Sequence, residues 1–104
     1  MRADGLTVVI GAGPAGCAAA VQCARLGAPV RLFDRTGRPG GLIVNGFSIE
    51  NYPGLERPLS GPAFARRLSE HLDRFGVSVE RGELIGIEPR DAAWLCRFKG
   101  ADLP

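Results

Sequence analysis

Residues 6–16 read LTVVIGAGPAG, and the change of character at Gly11 decides the fold. Leu6–Ile10 is apolar and β-branched, the pattern of a buried parallel strand. Pro14–Leu26, PAGCAAAVQCARL, is alanine-rich and helical, with Pro14 in the first turn, where a missing N–H costs nothing. Gly27 ends that helix. Val30–Asp34, VRLFD, reads as a second strand. Strands joined through a helix are parallel, and the crossover is expected to be right-handed. The sequence therefore predicts an α/β fold with a Rossmann-like parallel sheet that starts β-α-β.

Gly11-Ala12-Gly13-Pro14-Ala15-Gly16 is G-x-G-x-x-G in the strand-to-helix setting that gives the motif meaning. Gly11 permits the tight turn, Gly13 lets backbone approach a pyrophosphate, and Gly16 lets the helix pack closely on the strand. The N–H groups and dipole at the start of the helix face the anion. Asp34 follows Gly16 by 18 residues, where an acid accepts hydrogen bonds from an adenosine ribose. An acid there repels a 2′-phosphate and argues against NADP at this site. Arg35 is suited to stacking on adenine. The loop alone does not separate FAD from NAD, since both carry ADP with a pyrophosphate.

Bulk properties narrow the remaining classes. The chain has 104 residues, 45% of them hydrophobic, and a formal net charge of +2. That suits one small domain with a modest core. The weak, scattered charge gives no reason to expect nucleic acid or membrane binding. Three cysteines without a CxxC argue against a disulfide framework and for reduced thiols in a cytoplasmic protein. The N-terminus shows neither a signal-peptide core nor a spanning segment. No metal-ligand spacing is present, and no residue draws a catalytic role: His71 reads as a boundary residue, and Cys17 and Cys23 as packing groups. Trp94 reads as core, and Tyr52 as packed beneath its own loop.

Arg35–Pro58 is a long glycine-rich segment without clear period, which in a compact domain tends to be functional. Short paired strands at Leu42–Val44 and Phe47–Ile49, turning at Asn45-Gly46, are expected within it. Ser60 reads as an N-cap for a helix at Pro62–Phe75, with Phe64, Leu68, Leu72 and Phe75 as its buried stripe and Gly76 as its stop. Val77–Glu80, Leu84–Glu88 and Trp94–Phe98 read as three strand-like pieces, and a small β-meander is expected.

Four motifs occur in order: GAGPAG after a strand, Gly40-Gly41, ENYPG at 50–54 and SGP at 60–62. In this the chain, from about Leu6 to Phe98, resembles the FAD-binding half of thioredoxin reductase-like flavoproteins, which use two dinucleotide-binding domains. The resemblance implies FAD as cofactor. Gly11, Gly13, Pro14, Ala15 and Gly16 would form its pyrophosphate loop, Asp34 would hold the ribose, and Arg35 would border the adenine. Gly40, Gly41 and Leu42 would run along the middle of FAD, with Asn51 at the flavin. Two glycines let backbone pass close to a flat ligand, and an asparagine amide offers both donor and acceptor to a flavin edge. Leu42 stands where the family usually has glutamine. The family's second glycine loop for NADPH and its redox CxxC have no counterpart in these 104 residues. The chain is thus expected to be a partial FAD/NAD(P)-binding domain over 1–104, inactive alone, with NADPH a ligand of the complete family protein. The other reading is a non-catalytic dinucleotide-binding module, or a subunit completing a flavoprotein in trans. With the first strand lacking a neighbour on one side, a homodimer through that exposed edge is expected.

Overall fold

The computed structural model describes residues 5–103. Strand β1 (Thr7–Ile10) leads through helix α1 (Pro14–Arg25) to strand β2 (Val30–Asp34). The two strands are parallel and in register, Thr7 opposite Val30 and Ile10 opposite Phe33. Helix α2 (Gly61–Arg74) then leads to β3 (Val79–Arg81), which lies parallel to β2 on its other side. The sheet order is β1-β2-β3. A second, antiparallel sheet follows: β4 (Leu84–Arg90), β5 (Ala93–Phe98) and β6 (Ala101–Leu103). The α/β expectation and the small meander are both met.

Strand β2 carries both layers, because alternate side chains point to opposite faces. Leu32, fully buried, joins Ala12, Cys17, Ala20, Leu72 and Val77 in the core beneath the helices. The next residue, Phe33, stacks on Phe98 of β5 with ring centroids 4.6 Å apart and so ties the meander to the sheet. Gly82 sits at that junction, where a Cβ would come within 3.0 Å of Phe98 and 3.1 Å of Phe33. Burying a leucine of the Leu32 or Leu72 kind contributes about 1.5–3 kcal/mol. Across β2 and β3, Arg31 donates two hydrogen bonds to Glu80, at 2.9 and 2.7 Å. Both side chains are more than a third exposed, so this pair adds little to stability.

The helix ends follow the local chemistry. Gly27 and Gly76 adopt φ of +77° and +72° after α1 and α2, the left-handed conformation that stops a helix. Ser60 Oγ accepts from the Ala63 amide at 3.2 Å as the N-cap of α2. On α2, Phe64 and Leu72 are buried and Leu68 and Phe75 pack against or beside the core, the stripe the spacing predicts.

Three expectations are corrected. The paired strands at Leu42–Val44 and Phe47–Ile49 are absent. Gly41–Asn45 forms a 3-10 helix instead, entered through Gly40 and Gly41 at φ of +117° and +58°. Only Ile49 pairs, in an isolated antiparallel bridge to Leu59. The start of α2 leaves no room for a hairpin: a Cβ on Gly61 would lie 2.1 Å from the Ile43 carbonyl oxygen. Trp94 is 62% exposed and not in the core, since the meander does not close over the free side of β1. Strand β3 begins at Val79, because the Val77 amide is taken by the Leu72 carbonyl as α2 ends. Strand β6 had no expectation: Gly100, at φ +84°, turns the chain back after Phe98 and extends the meander.

Candidate functional site: a glycine cradle at the head of helix α1

The site begins where β1 gives way to α1. Gly11 turns the chain at φ +100°, its amide held by the Phe33 carbonyl at 2.7 Å. Gly13 is the N-cap of α1, extended at φ −73° and ψ −174°, and no side chain caps the helix. The first-turn amides of a helix have no intrahelical acceptors, so here they remain for an anion. A Cβ at Gly13 would meet nothing within 4 Å, whereas one at Gly16 would sit 1.7 Å from the Gly11 carbonyl oxygen. Gly16 is therefore required by packing. Gly13 is not, and its missing side chain leaves open space at the positive end of the helix.

The second glycine pair folds back onto this loop. The Gly40 amide donates to the Ala12 carbonyl at 2.7 Å, and a Cβ on Gly41 would approach the Gly13 Cα to 3.6 Å. Residues 28 apart in sequence, Ala12 with Gly40 and Gly13 with Gly41, thus form one glycine-walled cradle. Leu42 leaves it 84% exposed. Asn51 is exposed, and its amide makes no hydrogen bond among the described residues.

Asp34 ends β2 beside the cradle. Its Oδ1 accepts from the Ala12 amide at 3.0 Å, and its Oδ2 accepts from the Thr36 amide and hydroxyl at 2.9 and 2.5 Å. Partial burial pushes the carboxyl up, but the hydrogen bonds from Ala12 and Thr36, helped by the Arg35 charge, hold it below its ordinary value. The carboxylate is ionised and oriented, and Oδ1 keeps acceptor capacity for a ligand hydroxyl. Arg35 is exposed. At the carboxyl ends of the parallel strands, a cavity of about 350 Å³ is lined by Gly11, Asp34, Arg35, Gly82, Glu83 and Leu84. Ligands bind outside such strand ends in open α/β sheets. Sequence reasoning missed Thr36 and the 82–84 segment. A threonine two residues after an acid, placed for an Asx-type turn, was a usable signal for the first; the second depends on tertiary packing. Cys17, beneath the loop, donates its thiol to the Ala12 carbonyl at 3.3 Å, and burial pushes its pKa up to about 11. It is a packing group.

The family model described as FAD dependent oxidoreductase matches residues 7–83. The chain belongs to the FAD-dependent oxidoreductases. Among curated relatives, thioredoxin reductase of Bacillus subtilis is 40% identical over 77 residues, covering 74% of this chain and 24% of that protein. The thioredoxin reductase of Aquifex aeolicus is 40% identical over 81 residues, 78% of this chain and 25% of that one. In structure, Lactococcus lactis thioredoxin reductase superposes with a TM-score of 0.83 at 36% identity, covering 94% of this chain and 31% of that chain. The enzyme from Streptococcus pyogenes gives 0.81 at 37% identity, covering 91% and 30%. The chain is thioredoxin reductase-like, and it spans about a quarter of the length of the curated relatives it matches. No described helix is long and apolar enough to cross a membrane.

Proposed function

We propose that this chain binds FAD as the cofactor-binding part of an NAD(P)H-dependent, thioredoxin reductase-like oxidoreductase. The observation that carries the reading is the open space at Gly13, facing uncapped helix amides and walled by Gly40-Gly41. Gly11, Gly13, Pro14, Ala15 and Gly16 hold the pyrophosphate through backbone N–H groups and the helix dipole. Asp34 accepts from the adenosine ribose, and Arg35, Gly82, Glu83 and Leu84 surround the adenine. Gly40, Gly41 and Leu42 run along the middle of the cofactor, and the unpartnered amide of Asn51 serves the flavin edge. When bound, FAD supplies hydride-transfer chemistry, and the protein supplies binding and orientation. The family's second glycine loop and redox CxxC have no counterpart in these 104 residues, so the role proposed for this chain is FAD binding, and nicotinamide binding and disulfide reduction are not assigned to it. A cytoplasmic setting fits its three unpaired thiols.

The test is spectroscopic. The chain is mixed with FAD, freed of unbound cofactor, and its visible spectrum recorded before and after NADPH. Bound flavin that NADPH leaves oxidised supports the assignment. Rapid bleaching by NADPH contradicts it, because it requires a nicotinamide site here.

The second reading, a module that associates with another chain, draws support from one observation. Strand β1 is the outer strand of its sheet, and Leu6 and Ile10 are 48% and 45% exposed. An uncharged, unbulged edge invites pairing with another strand. For the chain in isolation, that partner is a second copy.

A further inference from the structure

A cavity of about 430 Å³ lies between α1, α2 and the turn at 52–55, separate from the cradle of backbone amides. Its walls are apolar. Phe64 is 3% exposed and Cys17 2%, and burial keeps Cys17 a neutral thiol. Tyr52 closes one side, its ring edge-on to Phe64 at 5.0 Å between centroids. One corner differs. Arg67 and His71, one helical turn apart on α2, stand at the lining with Gln22 of α1. No ion pair ties down Arg67 among the described residues, and no aspartate or glutamate lines the cavity.

A pocket of this size, apolar with a few convergent polar groups, is the usual form of a small-molecule site. The charge is all of one sign, and an unpaired guanidinium beside an apolar wall is matched by a planar carboxylate. We propose that this cavity binds a small aromatic carboxylate, its ring against the wall formed by the Tyr52–Phe64 pair and its carboxylate at Arg67. The site is built by α1, α2 and the 52–55 turn and does not rest on the FAD assignment. Its position, directly after Asn51 in sequence and sharing Pro14 with the pyrophosphate loop, suits a substrate or effector read out beside the cofactor.

The test uses the full chain without FAD and 2-naphthoate as probe, with uncharged 2-naphthylmethanol for comparison, titrated by calorimetry. Arg67→Gln is expected to weaken 2-naphthoate about tenfold, the worth of one charge-assisted hydrogen bond, and to leave 2-naphthylmethanol within about twofold. Ala18→Phe, on an exposed position of α1 that lines the cavity, is expected to abolish both while circular dichroism stays unchanged. Binding insensitive to Arg67→Gln overturns the proposal. So does binding lost instead with Ile87→Ser, in the groove beside β1, or displacement of the probe by riboflavin, which assigns the cavity to the cofactor's own ring. The Arg67→Gln and Ala18→Phe readouts are taken without FAD, so the two readings fail separately.

Discussion

Gly13 and Gly16 lie three residues apart and do different work. At Gly13 the backbone is extended with negative φ, and a Cβ meets open space. Gly13→Val is therefore expected to fold with a melting temperature close to wild type while blocking the approach of a pyrophosphate. At Gly16 a Cβ would collide with the Gly11 carbonyl oxygen, and Gly16→Ala is expected to cost about 3 kcal/mol, the upper end for overpacking. Chemical denaturation separates the two. Asp34 gives a pH prediction. Its folded pKa is lowered, so its contribution is fully present above the unfolded value, near about 3.9, and is lost as pH falls through the folded one. Asp34→Asn is expected to be less stable than wild type at neutral pH, the gap closing in acid, as followed by circular dichroism against pH. A gap that widens in acid contradicts the assigned hydrogen bonds. Cys17, buried with its pKa raised, is expected to resist a thiol reagent at pH 8 in the native chain, while Cys23 and Cys96, both half-buried, react. Labelling of Cys17 should appear only on unfolding.

At the scale of elements, the free edge of β1 sets the expectation. The groove beside it, about 600 Å³, is lined by Leu6, Val8, Ile10, Leu84, Ile87 and Trp94. If β1 pairs with β1 of a second copy, light scattering gives a dimer, and acrylamide quenching of Trp94, the chain's single tryptophan, falls as concentration rises. Thr7→Lys, a charge on the edge, is expected to restore the monomer. A monomer at every concentration refutes the pairing. The same elements show why sequence reading succeeded or failed. Helices α1 and α2 were legible because proline, the Ser60 cap and the closing glycines are local signals. The segment 41–49 was misread because the Asn45-Gly46 turn signal between apolar residues suits a hairpin, whereas Gly40, Gly41 and the tight seat of Gly61 on Ile43 decide for a 3-10 helix. Trp94 was misplaced because the sequence marks an aromatic residue on a strand and not which sheet face is covered.

At the scale of the molecule, the two glycine loops, Asp34 and the strand ends converge on one side of the parallel sheet. The glycine turn at the head of α1 and the acid that ends β2 could be read in advance because strand, turn and helix fix them locally. The Thr36 brace on Asp34 is a local signal that went unread, whereas the contact of Gly40-Gly41 with Ala12-Gly13 and the cavity at 82–84 could not be read, because both arise only from tertiary packing.

The central claim is best tested by titrating the chain with FAD, ADP and FMN, using wild type and Gly13→Val. The account predicts that FAD and ADP both bind the wild type, that FMN, which lacks the ADP half, binds far more weakly, and that Gly13→Val loses at least about tenfold in affinity for FAD and ADP with its fold intact. Equal binding of FMN and FAD, or a Gly13→Val chain that binds ADP as the wild type does, would contradict it.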